Sequence, residues 1–345
     1  MKYGRLVFTR EFVSPILCNA GDVVQSLAID GLYEKMNIAQ EDIIDIPMEQ
    51  LSSYRGEKVV LPLNGYFLYS REYPSFPVSE DIIPVFLGIF STSPAYLKHR
   101  KFWKKYEPIG CRDEATYQAM SKKGYKAFLL GCMTITLPKR TKEPDKPKVF
   151  LVDAHPSIME YIPEKLKSHI EYVTHDIPVN KDMPHDDLAK YMLETSAHLY
   201  ERYRDEATLV ITSRLHCAAP CIAMGIPTIV VKDGFDERFG WLDKLVHLYT
   251  PDEFANIDWN PKPIDLEEHK KQLERAAISL INRTPDWEAL NAVHEFYMSR
   301  KKKKLSAPIL VKGYMIMAQY SPKLAAFIRE KVLYRFTIAG KSQKQ

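Results

Sequence analysis

Apolar residues in this chain fall into short runs, separated by stretches in which they recur every three or four positions. The first pattern predicts buried strands and the second predicts amphipathic helices. Strands are expected at 5–8, 43–46, 59–63, 84–90, 109–111 and 128–130, with helices at 21–35, 95–106 and 113–123 between them. Gly124 ends the last of these helices. The stretch 138–148, PKRTKEPDKPK, is polar and carries three prolines, so it reads as a linker. The alternation then restarts, with strands at 149–153, 170–173, 209–212 and 228–231 and helices at 186–205, 215–224, 266–282 and 287–303. Strand–helix alternation on both sides of a linker predicts two α/β domains with mostly parallel sheets, 1–137 and 149–298. In such sheets ligands bind at the carboxyl ends of the strands, so chemistry is sought there.

Charge adds a third part, 299–345. From Arg300 to the end, twelve lysines and arginines face one acid, Glu330, so this tail carries +11 and the body before it −7 within the whole-chain +4. Between Leu305 and Phe336 the tail is dense in apolar residues punctuated by cations, which suits an anionic membrane surface; the alternative is packing across the body. The body has no basic stripe with interleaved aromatics, so no nucleic-acid partner is expected. The opening MKYGRLVFTREF has no long apolar core, and no secretory signal is expected. Five irregularly spaced cysteines fit a reducing compartment, and Cys217 and Cys221, one helical turn apart, read as buried thiols rather than metal ligands. His155, His169, His175 and His185 show no ligand periodicity and read as surface or capping residues, with His155 a minor cleft candidate. Without a Walker or GxGxxG loop, neither ATP nor a dinucleotide is indicated as cofactor.

Candidate chemistry concentrates in LVITSRLHCAAPCIAMGIPTIVV, 209–231. A buried strand ends at Thr212, and Arg214 and His216 follow at the start of a small-residue helix. A helix N-terminus favours anions, arginine offers a fork for carboxylate or phosphate, and histidine exchanges protons near neutral pH. The competing reading is Arg214 paired with a structural carboxylate and His216 as a satisfied core histidine. Arg112 sits at a similar junction, after the strand at 109–111. Asn19, Gly21 and Asp22 form a strand-to-helix turn that either orients a substrate hydroxyl or merely caps the helix.

SRLHCAAPCIAMGIPTIVV resembles the arginine-leucine-histidine segment of polysaccharide pyruvyl transferases. NAGDVVQSLAIDGLY, LPLNGYF and IGCRDEATYQAMSKKGYKAFLLGCMTITLP are similar to other segments of that family, in the same order. The resemblance covers about residues 1–300. It implies a GT-B-like arrangement, in which two Rossmann-like domains face an interdomain cleft. It implies phosphoenolpyruvate as donor and co-substrate, with no further cofactor, and a sugar acceptor that gains a pyruvate ketal. By the same resemblance Arg214, Leu215 and His216, with Arg112 from the other domain and either Lys232 or Arg238, take the donor. Asn19, Gly21, Asp22, Asn64 and Tyr66 then fall on the acceptor side. His216 would act as acid or base and Asp22 would orient a hydroxyl. A lipid-linked oligosaccharide at the inner face of the cytoplasmic membrane would place acceptor and basic tail together. The rivals are a nucleotide-sugar glycosyltransferase, with Glu237 or Glu253 on the ribose, and a non-catalytic glycan-assembly protein.

Overall fold

The computed structural model describes residues 1–8, 17–67, 73–180 and 182–300; the tail beyond Arg300 lies outside them. In chain order the first half comprises β1 (Lys2–Val7), β2 (Leu17–Asn19), α1 (Ala20–Lys35), β3 (Ile43–Pro47), β4 (Val59–Tyr66), β5 (Ile82–Phe90), α2 (Pro94–Leu97), α3 (Arg100–Lys105), β6 (Ile109–Cys111), α4 (Glu114–Lys122) and β7 (Ala127–Leu129). The second comprises β8 (Val149–Val152), α5 (Glu164–Lys167), β9 (Ile170–Val173), β10 (Asp176–Pro178), α6 (His185–Glu206), β11 (Leu209–Thr212), α7 (Leu215–Ala223), β12 (Thr228–Val231), β13 (Leu248–Tyr249), α8 (Glu267–Ile281) and α9 (Trp287–Met298). Two parallel sheets result, of order β3-β1-β4-β5-β6-β7 and β13-β12-β11-β8-β9, so the α/β class expected from the alternation holds.

One expected helix, 95–106, is two. His99 leaves the helical region at ψ 62°, and the chain turns a corner between α2 and α3. The Trp103 indole donates to the Tyr96 carbonyl at 2.9 Å across that corner. Trp103, Phe76, Phe86 and Tyr96 fill the core beneath it, so aromatic burial outweighs helical continuity.

The halves are joined by more than the proline-rich stretch. β2 pairs antiparallel with β10, Asn19 opposite Asp176, and the Ala20 amide donates to the His175 carbonyl at 2.9 Å. α1 therefore starts on the second half while its sequence neighbours build the first sheet. One hydrophobic cluster takes Ala28, Ile29 and Leu32 from α1, Val60 and Leu87 from the first sheet, and Ala218, Ile222 and Val230 from the second half. α9 returns to the first sheet, where the Leu129 amide donates to His294 Nδ1 at 2.9 Å. Lys244, its side chain 2 % exposed, bonds Glu114 at 2.6 Å and closes the same side. No described helix is long and apolar enough to cross a membrane.

Candidate active site

α7 begins where β11 ends, and two local features fix its first turn. The Thr212 hydroxyl accepts the Arg214 amide at 3.0 Å. Pro220, inside the helix, has no N–H for the carbonyl four residues earlier. That carbonyl belongs to His216, and the buried Tyr200 hydroxyl donates to it at 2.5 Å instead. The backbone beneath His216 is thus held from α6.

Gly21, in the first turn of α1, crosses directly over this histidine. A Cβ there would lie 3.1 Å from His216 Cβ and 3.1 Å from Asn19 Oδ1, tighter than ordinary packing. Asn19 Oδ1 caps α1 by accepting the Gly21 amide at 2.9 Å, and Asn19 Nδ2 donates to Asp22 at 3.2 Å. We expect Gly21→Ala to lower kcat about tenfold by pushing the imidazole aside, since displacements near 1 Å cost about a hundredfold. Its melting temperature should hold or rise, because alanine is the better helix residue by roughly 0.5–1 kcal/mol. Steady-state kinetics beside a thermal melt checks this; unchanged kcat would show that the contact carries no catalytic geometry.

Two cations, Arg112 and Arg238, act on His216, and Lys232 lies in the field of Arg238 and Arg214. Arg112 follows β6 and is 1 % exposed; its Nε and Nη1 have no hydrogen-bond partner among the described residues. It lies 5.7 Å over the Phe90 ring. Burial makes its charge harder to keep, and Arg238 pushes the same way against Cys132 and Asp113. Arg238 is oriented by Asp236, with Nε to Oδ1 at 2.8 Å, and lies 5.3 Å over the Tyr66 ring. Lys232 follows β12, half-buried, with its pKa lowered by burial and then by Arg238 and Arg214. Burial and Arg238 depress both Arg112 and Lys232, and two nitrogens of Arg112 have no acceptor among the described residues, so an anion stabilises this site. His216 responds to the same field. Burial, then Arg112, Arg238 and His175, drive its pKa well below the usual value, so the imidazole is neutral at neutral pH.

Arg214 is placed differently. Its Nε bonds Asp153 at 2.9 Å and its Nη2 bonds Asp176 at 2.8 Å, which is the carboxylate-paired alternative. Asp153 holds a left-handed backbone at φ 45° at the end of β8, and it also accepts the His175 amide at 2.9 Å. Arg214 thereby ties β8, β10 and α7 together under His216. Leu215 is half-buried against the shared core. Asn64, 3 % exposed, spends its side chain on the Gln25 carbonyl at 3.5 Å and the Cys132 thiol at 3.7 Å. The Tyr66 ring packs between Phe90, 4.8 Å away, and Arg238.

Cys132, whose segment GCMTITLP entered the family resemblance without a site role, stands 3.7 Å from His216 Nε2. His175 corrects the surface reading: it is fully buried, stacked on Tyr203 with Nε2 3.1 Å from that hydroxyl. Only its spacing after β9 could have marked it. Cys217 and Cys221 are buried, and His155 pairs with Asp233 at 2.9 Å.

Asn19, Asp22, Asn64, Tyr66, Arg112, Cys132, Arg214, His216 and Lys232 all lie within residues 19–233, the stretch matched by the family model "Polysaccharide pyruvyl transferase"; Arg238 lies just beyond it. No curated protein matches the chain. Among solved structures, a functionally uncharacterised Klebsiella pneumoniae protein aligns at 16 % identity and TM-score 0.39, covering 66 % of this chain and 83 % of its own. A Staphylococcus aureus MnaA–UDP co-structure aligns at 10 % identity and TM-score 0.39, covering 86 % and 92 %. A UDP-N-acetylglucosamine 2-epimerase aligns at 9 % identity and TM-score 0.37, covering 89 % and 100 %. The family match spans well over half of the chain and carries both the buried arginine and the arginine–leucine–histidine turn, so this protein belongs to the polysaccharide pyruvyl transferases.

Proposed function

We propose that the protein transfers the pyruvyl group of phosphoenolpyruvate to two hydroxyls of a sugar in a surface polysaccharide precursor, forming a cyclic ketal. The observation that carries this reading is Arg112, a buried guanidinium with two nitrogens unspent, whose charge acts together with that of Arg238 on His216. Phosphoenolpyruvate brings a carboxylate and a phosphate, which charge-assisted hydrogen bonds from Arg112, Arg238 and Lys232 match. The donor then occupies the space between the strand ends of the two sheets. Arg214, neutralised by Asp153 and Asp176, takes the role of fixing the His216 turn.

The steps balance without an added oxidant or reductant. As the sugar oxygen adds to the central carbon of the donor, its proton passes through the neutral His216 imidazole to the methylene carbon, which becomes a methyl group. Phosphate then leaves from the central carbon, a second hydroxyl adds there and closes the ring, and its proton leaves with the phosphate. Asp22, held by Asn19, orients the attacking hydroxyl. The +11 tail that starts at Arg300, of which the part after Arg300 lies outside the described residues, fits an acceptor anchored in anionic lipid.

Incubation with phosphoenolpyruvate and glycan acceptors tests the reading, with phosphate release and product mass followed together. We expect equimolar phosphate and a product heavier by pyruvate less one water. Turnover with a nucleotide sugar and none with phosphoenolpyruvate would overturn it.

A further inference from the structure

We propose that Cys132 is a positioning residue for His216, its thiol donating to Nε2 and so fixing which ring nitrogen carries the proton in the resting enzyme. The inference rests on His216 being the proton-transferring group.

Cys132 is fully buried just after β7, and Gly131 before it adopts φ +72°, which turns the chain at this point. Three groups meet its sulfur. The Thr134 hydroxyl donates to it at 3.3 Å, so the sulfur's acceptor capacity is used from that side. Asn64 Oδ1 and His216 Nε2 both stand 3.7 Å away, and the thiol has one proton for the two of them. Asn64 shows its oxygen to the thiol because its amide nitrogen is committed to the Gln25 carbonyl at 3.5 Å.

The other side of the imidazole decides the proton's place. The Gly21 backbone favours the protonated ring. With Nε2 accepting from Cys132, the single proton of the neutral ring is on Nδ1. In the resting enzyme the ring is then a donor through Nδ1 and an acceptor through Nε2 toward β7, and the sugar hydroxyl takes the thiol's place at Nε2 when it gives up its proton. The other charged or titratable groups acting on it are Arg112 after β6, Arg238 after β12 and His175 before β10, and all three disfavour a second ring proton. The arrangement follows the general logic by which a second partner orients a catalytic histidine. Here the partner comes from the opposite half of the chain, so the base is aligned only when β7 and α7 are in register.

Asn64 and His216 compete for one thiol proton, so substitutions on the two sides should act in opposite directions. In Cys132→Ala, Nε2 loses its donor and the protonated imidazole becomes easier to form, so the acidic limb of the kcat profile moves to higher pH. In Asn64→Ala, the thiol proton goes wholly to Nε2 and the limb moves to lower pH. Cys132→Ser should behave as Cys132→Ala, because a hydroxyl oxygen sits closer to its own Cβ and falls short of Nε2. Nitrogen-15 NMR of histidine-labelled wild-type protein needs no substitution and no turnover, and should show His216 protonated at Nδ1 alone. A ring protonated at Nε2 in the wild type, or limbs that move together, overturns the inference. An active His216→Ala variant would instead remove the catalytic reading and leave the tautomer result standing.

Discussion

Arg112→Met should raise the melting temperature and abolish donor binding in the same protein. An arginine that is 1 % exposed, with two N–H groups lacking acceptors, leaves the folded chain carrying a desolvated charge. Replacing buried charged groups whole by apolar ones of similar volume is often neutral or stabilising by about 1–4 kcal/mol, and a guanidinium with two nitrogens lacking acceptors falls on the same side. The binding loss is larger. Hydrogen bonds to charged groups are worth about 1.5–3 kcal/mol each, so two of them put the donor dissociation constant up by about 10²- to 10⁴-fold. Calorimetric titration with phosphoenolpyruvate and a melt of the same sample read both effects. Arg112→Lys should fall between, keeping charge without the planar fork. A variant that melts lower and binds donor normally would make Arg112 a structural residue and leave the site without its anchor.

The contrast with Arg214 shows where the sequence stops being legible. Both arginines follow a short buried strand and precede a helix, and local pattern rates them alike. What separates them is distant in the chain. Asp153 and Asp176, 61 and 38 residues away, occupy Arg214, while no described residue bonds Arg112 Nε or Nη1. Most strands are readable as runs of apolar residues closed by glycine, proline or polar residues, while the two-residue β13 is too short to leave such a run. The β2–β10 ribbon was not readable, since three-residue strands paired across more than 150 positions leave no periodicity. Yet this ribbon decides the site, because it sets Gly21 over His216. Cys132 and His175 were missed for a related reason. A thiol within an apolar segment and a histidine in a loop look ordinary until their neighbours are known.

The second large effect belongs to His216. His216→Ala should lower kcat by about 10²- to 10⁴-fold, the span of general acid–base groups, while donor affinity stays within a few-fold because the arginines remain. The pH behaviour separates this from simple loss of packing. In the free enzyme, burial and the flanking cations hold the imidazole neutral, its pKa well below the usual value. A donor trianion set among Arg112, Arg238 and His216 cancels that field, so the folded-state pKa rises on binding. Between the free and the bound value the complex holds more protons than the free protein. Donor binding must then take up a proton there, and affinity must strengthen as pH falls through the window. Calorimetry in buffers of different ionisation enthalpy counts that proton. Phosphoenolpyruvate's own phosphate exchange is common to both proteins, so the difference between wild type and His216→Ala isolates the imidazole. We expect that difference to peak between the two values, approaching one proton where they are well separated, and to vanish well above and well below the window. Equal counts in the two proteins, with near-normal turnover in the variant, would leave the imidazole outside the proton path and return the transfer step to another group.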